Sequence, residues 1–189
     1  SFGNDGSISK DRLEDCINSD LANNYGNLCQ RVVAFAEKNC SSKIPNLKKI
    51  NDDDLIMLNN FTENLSSLRD EIDKQNVNFY IDFIIKALFE ANKYFNDQEP
   101  WKKKEDRERL DAIIYTSLEM IRKISFMLYP IIPDSVMKAL TIFNIKIEDI
   151  NFESIGSHNY LKTGDKIKKI DILFKKIEKK NDWFALSFR

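Results

Sequence analysis

One tryptophan of this sequence stands in a strongly charged segment, where a large aromatic ring is unexpected. The segment is NDQEPWKKKEDR, residues 96–107, and it holds eight charged residues beside Pro100 and Trp101. An indole ring gains free energy when it leaves water. The ring therefore either packs back and closes the end of a helical bundle, or is held at the surface for another group to stack on. The residues around it leave both interpretations open.

A second candidate pair lies in GNLCQR, residues 26–31. Asn27 and Arg31 are four residues apart, so on a helix their side chains share one face, about one turn apart. The apolar stripe passes through Tyr25 and Leu28, which leaves the pair on its polar flank. An amide beside a planar guanidinium suits contact with base edges and phosphates. Helix surfaces are rich in such residues, so the pair alone is also consistent with an ordinary solvated face.

Residues that could carry catalysis or bind a metal are few. His158 is the single histidine, and its polar segment favours a loop residue over a general base. Cys16, Cys29 and Cys40 form no C-x-x-C pair, so we expect reduced thiols rather than a zinc site. We interpret the acidic cluster at residues 52–54 as helix capping and solvation rather than metal binding. Because the sequence also lacks a glycine-rich phosphate loop, we expect neither a catalytic residue nor a metal here.

The elements that would position these residues are predicted to be long helices. Apolar residues recur at steps of three and four, the period of a helix with one buried stripe. The first helix covers residues 10–39, the second begins after Asn51 or Asp52 and fades at 74–76, the third ends before Pro100, and the fourth runs from near Asp106 to Pro130. A short fifth helix is expected from Asp134 to Phe143.

The first predicted helix carries the amide and guanidinium pair, and its continuity is an open question. Ser9 is a plausible N-cap, because its hydroxyl can accept from an unpaired backbone N–H of the first turn. Ser19 and Asp20 form a second cap candidate. The sequence therefore allows one helix or two helices with a break near Asn18.

The remaining residues predict a less regular extension. It contains a turn in LKTGDKI, residues 161–167, and a possible final short helix in residues 171–180. The predicted fold class is all-α: an antiparallel bundle of four long helices plus one short helix, with a C-terminal extension packed on it. We divide the chain into a bundle at 1–143, an extension at 144–180 and a tail of uncertain origin at 181–189.

Composition limits the classes of protein to consider. The chain has 189 residues, of which 42% are hydrophobic and 31% charged, as expected for one folded domain. Its formal net charge of −1 excludes binding to a polyanion by bulk charge, so any contact with nucleic acid must be local. No apolar run is long enough to cross a membrane. Since residue 1 is Ser and no secretory segment follows it, we expect a fragment of a longer chain rather than a processed one. The reduced thiols indicate a cytoplasmic protein.

Five blocks of the sequence, taken in order, carry a resemblance to a known family. They are INSDLANNYGNLCQRVVAF (17–35), ANKYFNDQEPWK (91–102), YPIIPD (129–134), LKTGDKI (161–167) and LFKKIE (173–178). Their order resembles the C-terminal half of bacterial-type methionyl-tRNA synthetases, over nearly the whole chain. In that family the region is the α-helical bundle that binds the anticodon and follows the class I catalytic domain.

The resemblance implies roles for residues already singled out. The tryptophan of the E-P-W block stacks on an anticodon base in such enzymes, and this position is Trp101. The Asn and Arg of the N-L-x-x-R block contact anticodon bases and their backbone, and these positions are Asn27 and Arg31. Unpaired RNA bases are captured on aromatic faces in this way. Supporting phosphate contacts are expected from three neighbouring lysines: Lys102, Lys103 and Lys104.

The resemblance also defines what this chain should lack. The family's adenylation signatures, including the K-M-S-K-S loop, are missing, so ATP and methionine would be bound by a catalytic domain outside the chain. The chain is then expected to be a non-catalytic part of a methionine–tRNA ligase, a monomer without cofactor. Its partners would be methionine tRNA and that catalytic domain, with no membrane. Asp165 stands where the family often has histidine, which puts a special role of that position in doubt.

A protein-interaction module is the alternative in a different class. It would dock another polypeptide through an exposed apolar patch and make no RNA contact. The best candidate for such a patch is NDWFALSFR, residues 181–189. We expect its aromatic residues to pack on another part of the protein.

Overall fold

The structure is a computed structural model, and it describes residues 9–157 and 160–178. Within them the chain forms seven α-helices: α1 Lys10–Cys16, α2 Asn27–Asn39, α3 Asp52–Asp73, α4 Val77–Asp97, α5 Arg107–Leu128, α6 Pro133–Leu140 and α7 Phe152–Ile155. Three short 3₁₀ turns add to them: Pro100–Lys102, Thr141–Phe143 and Ile147–Asp149. The all-α fold class and the predicted long helices are confirmed.

The predicted first helix is one continuous helical run. Ser9 accepts a hydrogen bond from the Arg12 backbone N–H at 3.3 Å, which confirms the N-cap. A π-helical segment, Ile17–Gly26, joins α1 to α2. The backbone N–H of Asn27 donates to Ala22 O, five residues back, as the wider π turn requires. The open question about residue 18 is therefore settled by a change in helix type rather than a break.

Helices α3 and α4 form an antiparallel hairpin. The side chain of Asn51 accepts from the Asp54 N–H, and the Asp54 carboxylate accepts from the Asn51 N–H, so α3 begins in a capping box. Asp54 then contacts Tyr94 near one end of the hairpin, whereas Asn60 contacts Glu90 further along. Residue numbers therefore rise along α3 while those of the contacting residues in α4 fall, as in an antiparallel pair.

Helix α5 is the centre of the bundle, with every residue from Ala112 to Leu128 buried. A helix buried on all sides must pair its polar groups internally. Arg122 Nε donates to Glu119 at 2.6 Å, and Lys123 donates to Leu58 O at 3.0 Å. The sequence predicted one buried stripe on this helix, whereas the structure buries all of its sides from Ala112 to Leu128.

The C-terminal extension packs back on the bundle. Lys43 and Lys166 pair in an isolated antiparallel bridge, next to a turn in which Gly164 adopts a positive φ of 91°. Such a φ favours glycine because a side chain would be strained there. At the far end, Asn18 and Ile177 exchange two hydrogen bonds, of 2.9 and 2.8 Å.

Two expectations about this region are corrected or remain open. Residues 171–178, the described part of the predicted final helix, form no helix. Leu173 and Phe174 instead pack against the bundle, and the ring centroids of Phe174 and Tyr25 lie 6.3 Å apart. His158 and the segment 181–189 lie outside the described residues, and the division of the chain at residue 143 stays a prediction.

No helix in the described ranges has both the length and the apolar character that a membrane crossing requires.

Candidate nucleic-acid interface

The turn after α4 places Trp101 at the surface. Helix α4 ends at Asp97, and Glu99 adopts a left-handed backbone with φ 44°, which redirects the chain. Pro100 then begins the 3₁₀ turn and is itself buried. Trp101 keeps 42% of its surface exposed. The indole is therefore partly open to solvent, and it does not close the end of the bundle as a core residue would.

A single phenylalanine joins Trp101 to α2. The Phe95 ring is 2% exposed and lies edge-on to the indole, with ring centroids 6.3 Å apart and planes at 69°. The Arg31 guanidinium carbon lies 5.4 Å from the centroid of the same ring. Phe35 supports Phe95 in a T-shaped contact at 6.0 Å. The structure therefore brings two of the sequence-predicted site residues, Arg31 and Trp101, to one aromatic support.

A hydrogen bond fixes the direction of Arg31. Its Nη2 donates to the Asn96 side-chain oxygen at 2.5 Å. Among the described residues, Asn96 is the one hydrogen-bond acceptor of the Arg31 side chain. Because a guanidinium carries five N–H donors, most of them remain available to an acceptor from outside the chain.

Asn27 lies one turn before Arg31, at the first position of α2. Its side chain is half-buried and makes no hydrogen bond to any residue that the structure describes. An amide of this kind can still donate and accept. Asn27 shares a helix face with Arg31. It is connected to Trp101 only indirectly, through Arg31 and the Phe95 ring.

The three neighbouring lysines are exposed, and they differ in their partners. Lys102 forms an ion pair with Glu99 at 2.7 Å. In the described parts of the chain, Lys103 and Lys104 have no ion-pair partner. An exposed ion pair is weak and easily exchanged, so all three lysines can offer positive charge to a phosphate.

A buried ion pair anchors the residues that lead into the Trp101 turn. Asp54 is fully buried and accepts from both terminal nitrogens of Arg109 and from the Tyr94 hydroxyl. Arg109 also donates to the Gln98 side-chain oxygen at 2.7 Å, and Gln98 donates to Asp53 at 2.8 Å. Burial, together with the neighbouring Asp54 carboxylate, raises the pKa of Tyr94, which keeps this hydroxyl a donor. The position of the turn therefore depends on charges inside the bundle.

This cluster corrects one interpretation and adds residues that sequence reasoning missed. Asp54 does cap α3, but its carboxylate is buried against Arg109 rather than solvated. Phe95 and Asn96 were missed as the support of the site, although they lie only a few residues before the E-P-W block. A separation of fifty-five residues between Asp54 and Arg109 gives no periodic signal that could have linked them.

No group of three metal-ligating side chains comes together among residues 9–157 and 160–178. The absence of a metal or cofactor from this chain stays a prediction.

The architecture defines an all-α domain in which an aromatic ring and a guanidinium pack against the same buried phenylalanine. The sequence model of a family described as the anticodon binding domain of methionyl tRNA ligase matches residues 44–187. This chain therefore belongs to the family of anticodon-binding domains of methionyl-tRNA ligases. Trp101 and the three lysines fall inside the matched range, whereas Asn27 and Arg31 precede it.

Curated relatives and solved structures agree with the family match. The methionine–tRNA ligase of Rhizobium meliloti (strain 1021) is 34% identical over 165 residues, which cover 87% of this chain and 32% of the relative. That of Thermotoga maritima is 32% identical over 182 residues, or 95% of this chain and 29% of the relative. The free-state crystal structure of Mycobacterium tuberculosis methionyl-tRNA synthetase has a TM-score of 0.87 at 28% identity, over 94% of this chain and 36% of that one. The chain thus spans about a third of the length of these proteins.

Proposed function

We propose that this chain recognises the CAU anticodon of methionine tRNAs as the anticodon-binding part of a methionine–tRNA ligase. The reaction with ATP and methionine would take place in the rest of such an enzyme, since these relatives are about three times as long as the region they share with this chain. In this proposal the chain acts in the cytoplasm, as a monomer joined to its catalytic domain, and contributes binding and selection rather than bond formation.

The contact of Arg31 and Trp101 with one buried ring is the observation that supports the proposal. In this proposal an unpaired base stacks on the exposed indole. Its edge is then read by the guanidinium, which contacts the same Phe95 ring as the indole. Asn27 would add an amide one turn away. Stacking captures any base, and hydrogen bonds along the base edge then distinguish one base from another.

The proposal is tested by binding to methionine tRNA and to the same tRNA with an altered anticodon. Trp101→Ala should weaken binding of methionine tRNA about tenfold to a hundredfold, because stacking contributes about 1–3 kcal/mol per base. Phe89→Ala is the matched control, since it removes an aromatic ring from α4 that is 65% exposed and lies outside the site. Arg31→Ala should reduce the preference for CAU. Unchanged binding and preference in both site variants would contradict the assignment.

The protein-interaction alternative is not favoured by the family match. Its best sequence feature, residues 181–189, lies outside the described residues. A salt titration separates the two classes, because affinity for RNA falls steeply with salt whereas hydrophobic docking does not.

A further inference from the structure

We propose that the lysine-rich segment directly after Trp101 and two further lysine-rich segments form one basic surface that binds the sugar–phosphate backbone of the RNA. The segments are 43–49, 102–107 and 160–169, and together they are called the basic belt. This inference rests on the proposed function, because it assigns a second contact to the same RNA. It adds a sequence-independent surface to a site that inspects bases.

The charge of the chain is concentrated in the belt. Its three segments contain eleven lysines and arginines and only three acidic residues. The whole chain has a net charge of −1, so all other residues together are strongly acidic. A local excess of this size attracts a polyanion even though the average charge of the protein does not.

One ion pair and one hydrogen bond connect the first segment to residues in and just after the second. Lys49 forms an ion pair with Asp106 at 2.6 Å, and its carbonyl accepts from Arg109 at 3.3 Å. Segment 102–107 begins directly after the indole. The belt therefore starts at the stacking site and continues onto the loop that follows α2.

Backbone pairing joins that loop to the C-terminal extension. Ile44 N–H donates to Asp165 O, and Gly164 N–H donates to Ile44 O, both at 2.8 Å. The isolated bridge between Lys43 and Lys166 lies next to these bonds. Two segments that are far apart in sequence are thus fixed against each other as one surface.

The lysines at this junction are available to a ligand. Lys43, Lys162 and Lys166 are exposed, and none of them forms an ion pair with a described residue. A surface cavity of about 800 Å³ lies beside two of them, and Asp149 and Asp165 also line it. A phosphate can therefore approach three ammonium groups without first displacing a carboxylate from any of them.

The opposite charge on the α3–α4 hairpin restricts how RNA can approach. Residues 52–97 contain ten acidic and four basic residues. This hairpin would repel a polyanion, whereas the belt attracts it. When the unpaired bases of an RNA reach Trp101, its backbone should therefore follow the belt from segment 102–107 toward segment 160–169.

The test compares salt dependence in two matched triple variants. Lys43→Gln/Lys162→Gln/Lys166→Gln removes three charges from the belt, and Lys10→Gln/Lys74→Gln/Lys86→Gln removes three exposed lysines outside it. The RNA is an anticodon stem-loop with CAU, and a second stem-loop carries an altered anticodon. We plot the logarithm of the RNA binding constant against the logarithm of the salt concentration. The belt variant should reduce the magnitude of this slope by about 2–3, because each lost phosphate contact contributes about 0.7–0.9. The control variant should keep the original slope.

The outcomes separate the belt from the base-reading site. Equal loss of affinity for both RNAs, with the CAU preference retained, supports a backbone contact. A slope equal to that of the control variant overturns the belt, even if Trp101→Ala still weakens binding of the RNA. If the unsubstituted chain shows no CAU preference, the proposed function fails while the slope still tests the belt. Lys162→Gln alone should lower the slope by about 0.7–0.9, which keeps the test decisive if the triple variant misfolds.

Discussion

The Arg31 guanidinium and the Trp101 indole pack against the same buried ring, that of Phe95. The guanidinium carbon is 5.4 Å from the ring centroid, and the two ring centroids are 6.3 Å apart. Residues from α2 and from the turn after α4 therefore share one rigid support. The spacing between the indole and the guanidinium therefore depends on this one ring.

Phe95→Leu should weaken binding of methionine tRNA by disturbing both groups at once. Phe61→Leu is a matched control, because Phe61 is also a buried phenylalanine in a T-shaped ring contact, at 5.7 Å from Phe83. Both substitutions should lower the free energy of unfolding by about 1 kcal/mol. Only Phe95→Leu should also lower RNA affinity in an equilibrium binding assay. Equal affinities for the two variants would show that Phe95 does not position the site.

Arg109→Ala should strongly destabilise the fold, because it leaves the buried Asp54 carboxylate without its cation. The expected loss in free energy of unfolding is about 3–5 kcal/mol, measured by urea denaturation. Arg107→Ala removes an exposed pairing with Asp111 and should cost less than about 1 kcal/mol. A small loss for Arg109→Ala would mean that the ion pair does not anchor the turn that leads to Trp101.

Lys123 should make the free energy of unfolding depend on pH, and a comparison with a variant that lacks this lysine isolates its contribution. Burial and, to a smaller extent, the nearby Arg122 charge lower the pKa of its ammonium group to about 8. In the unfolded chain this pKa is about 10.4. Between these values the unfolded state binds more protons at Lys123 than the folded state, so its contribution to stability rises with pH.

The comparison with Lys123→Met measures this contribution. The stability of the unsubstituted chain relative to Lys123→Met should rise by on the order of 1–3 kcal/mol from pH 8 to about pH 10.4. Burial also raises the pKa of the Cys29 and Cys40 thiols, which reduces stability as pH rises, but both proteins share that effect. Denaturation curves whose difference does not change with pH would contradict the assignment to Lys123.

Local signals in the sequence predict the element boundaries well. Ser9, Asn51 and Asp106 each cap the helix that follows, because a short polar side chain can accept from an unpaired N–H of the first turn. Pro100 follows the end of α4 as expected. The exposed Trp101 is likewise consistent with its charged surroundings.

Contacts between segments that are far apart in the sequence could not be predicted from local signals. The apolar pattern of the segment 171–178 predicts a short helix. In the structure this segment is not helical, because Phe174 packs on Tyr25 and the Ile177 backbone forms hydrogen bonds with Asn18. The enclosure of α5 and the basic belt likewise depend on segments that meet only in the folded chain. The periodic pattern also misleads at Leu13, which lies four residues before Ile17 and so fits the helical period of the first predicted helix, yet is 56% exposed.

The most direct measurement is the fluorescence of Trp101 in a Trp183→Phe chain, where Trp101 is the one remaining tryptophan. Titration with an anticodon stem-loop that carries CAU should quench the emission and protect the indole from acrylamide, because a base stacked on the ring covers its exposed face. The same stem with its loop closed by base pairs should leave both signals unchanged. Saturating binding of the CAU stem-loop without quenching or protection would contradict the claim that Trp101 stacks on an anticodon base.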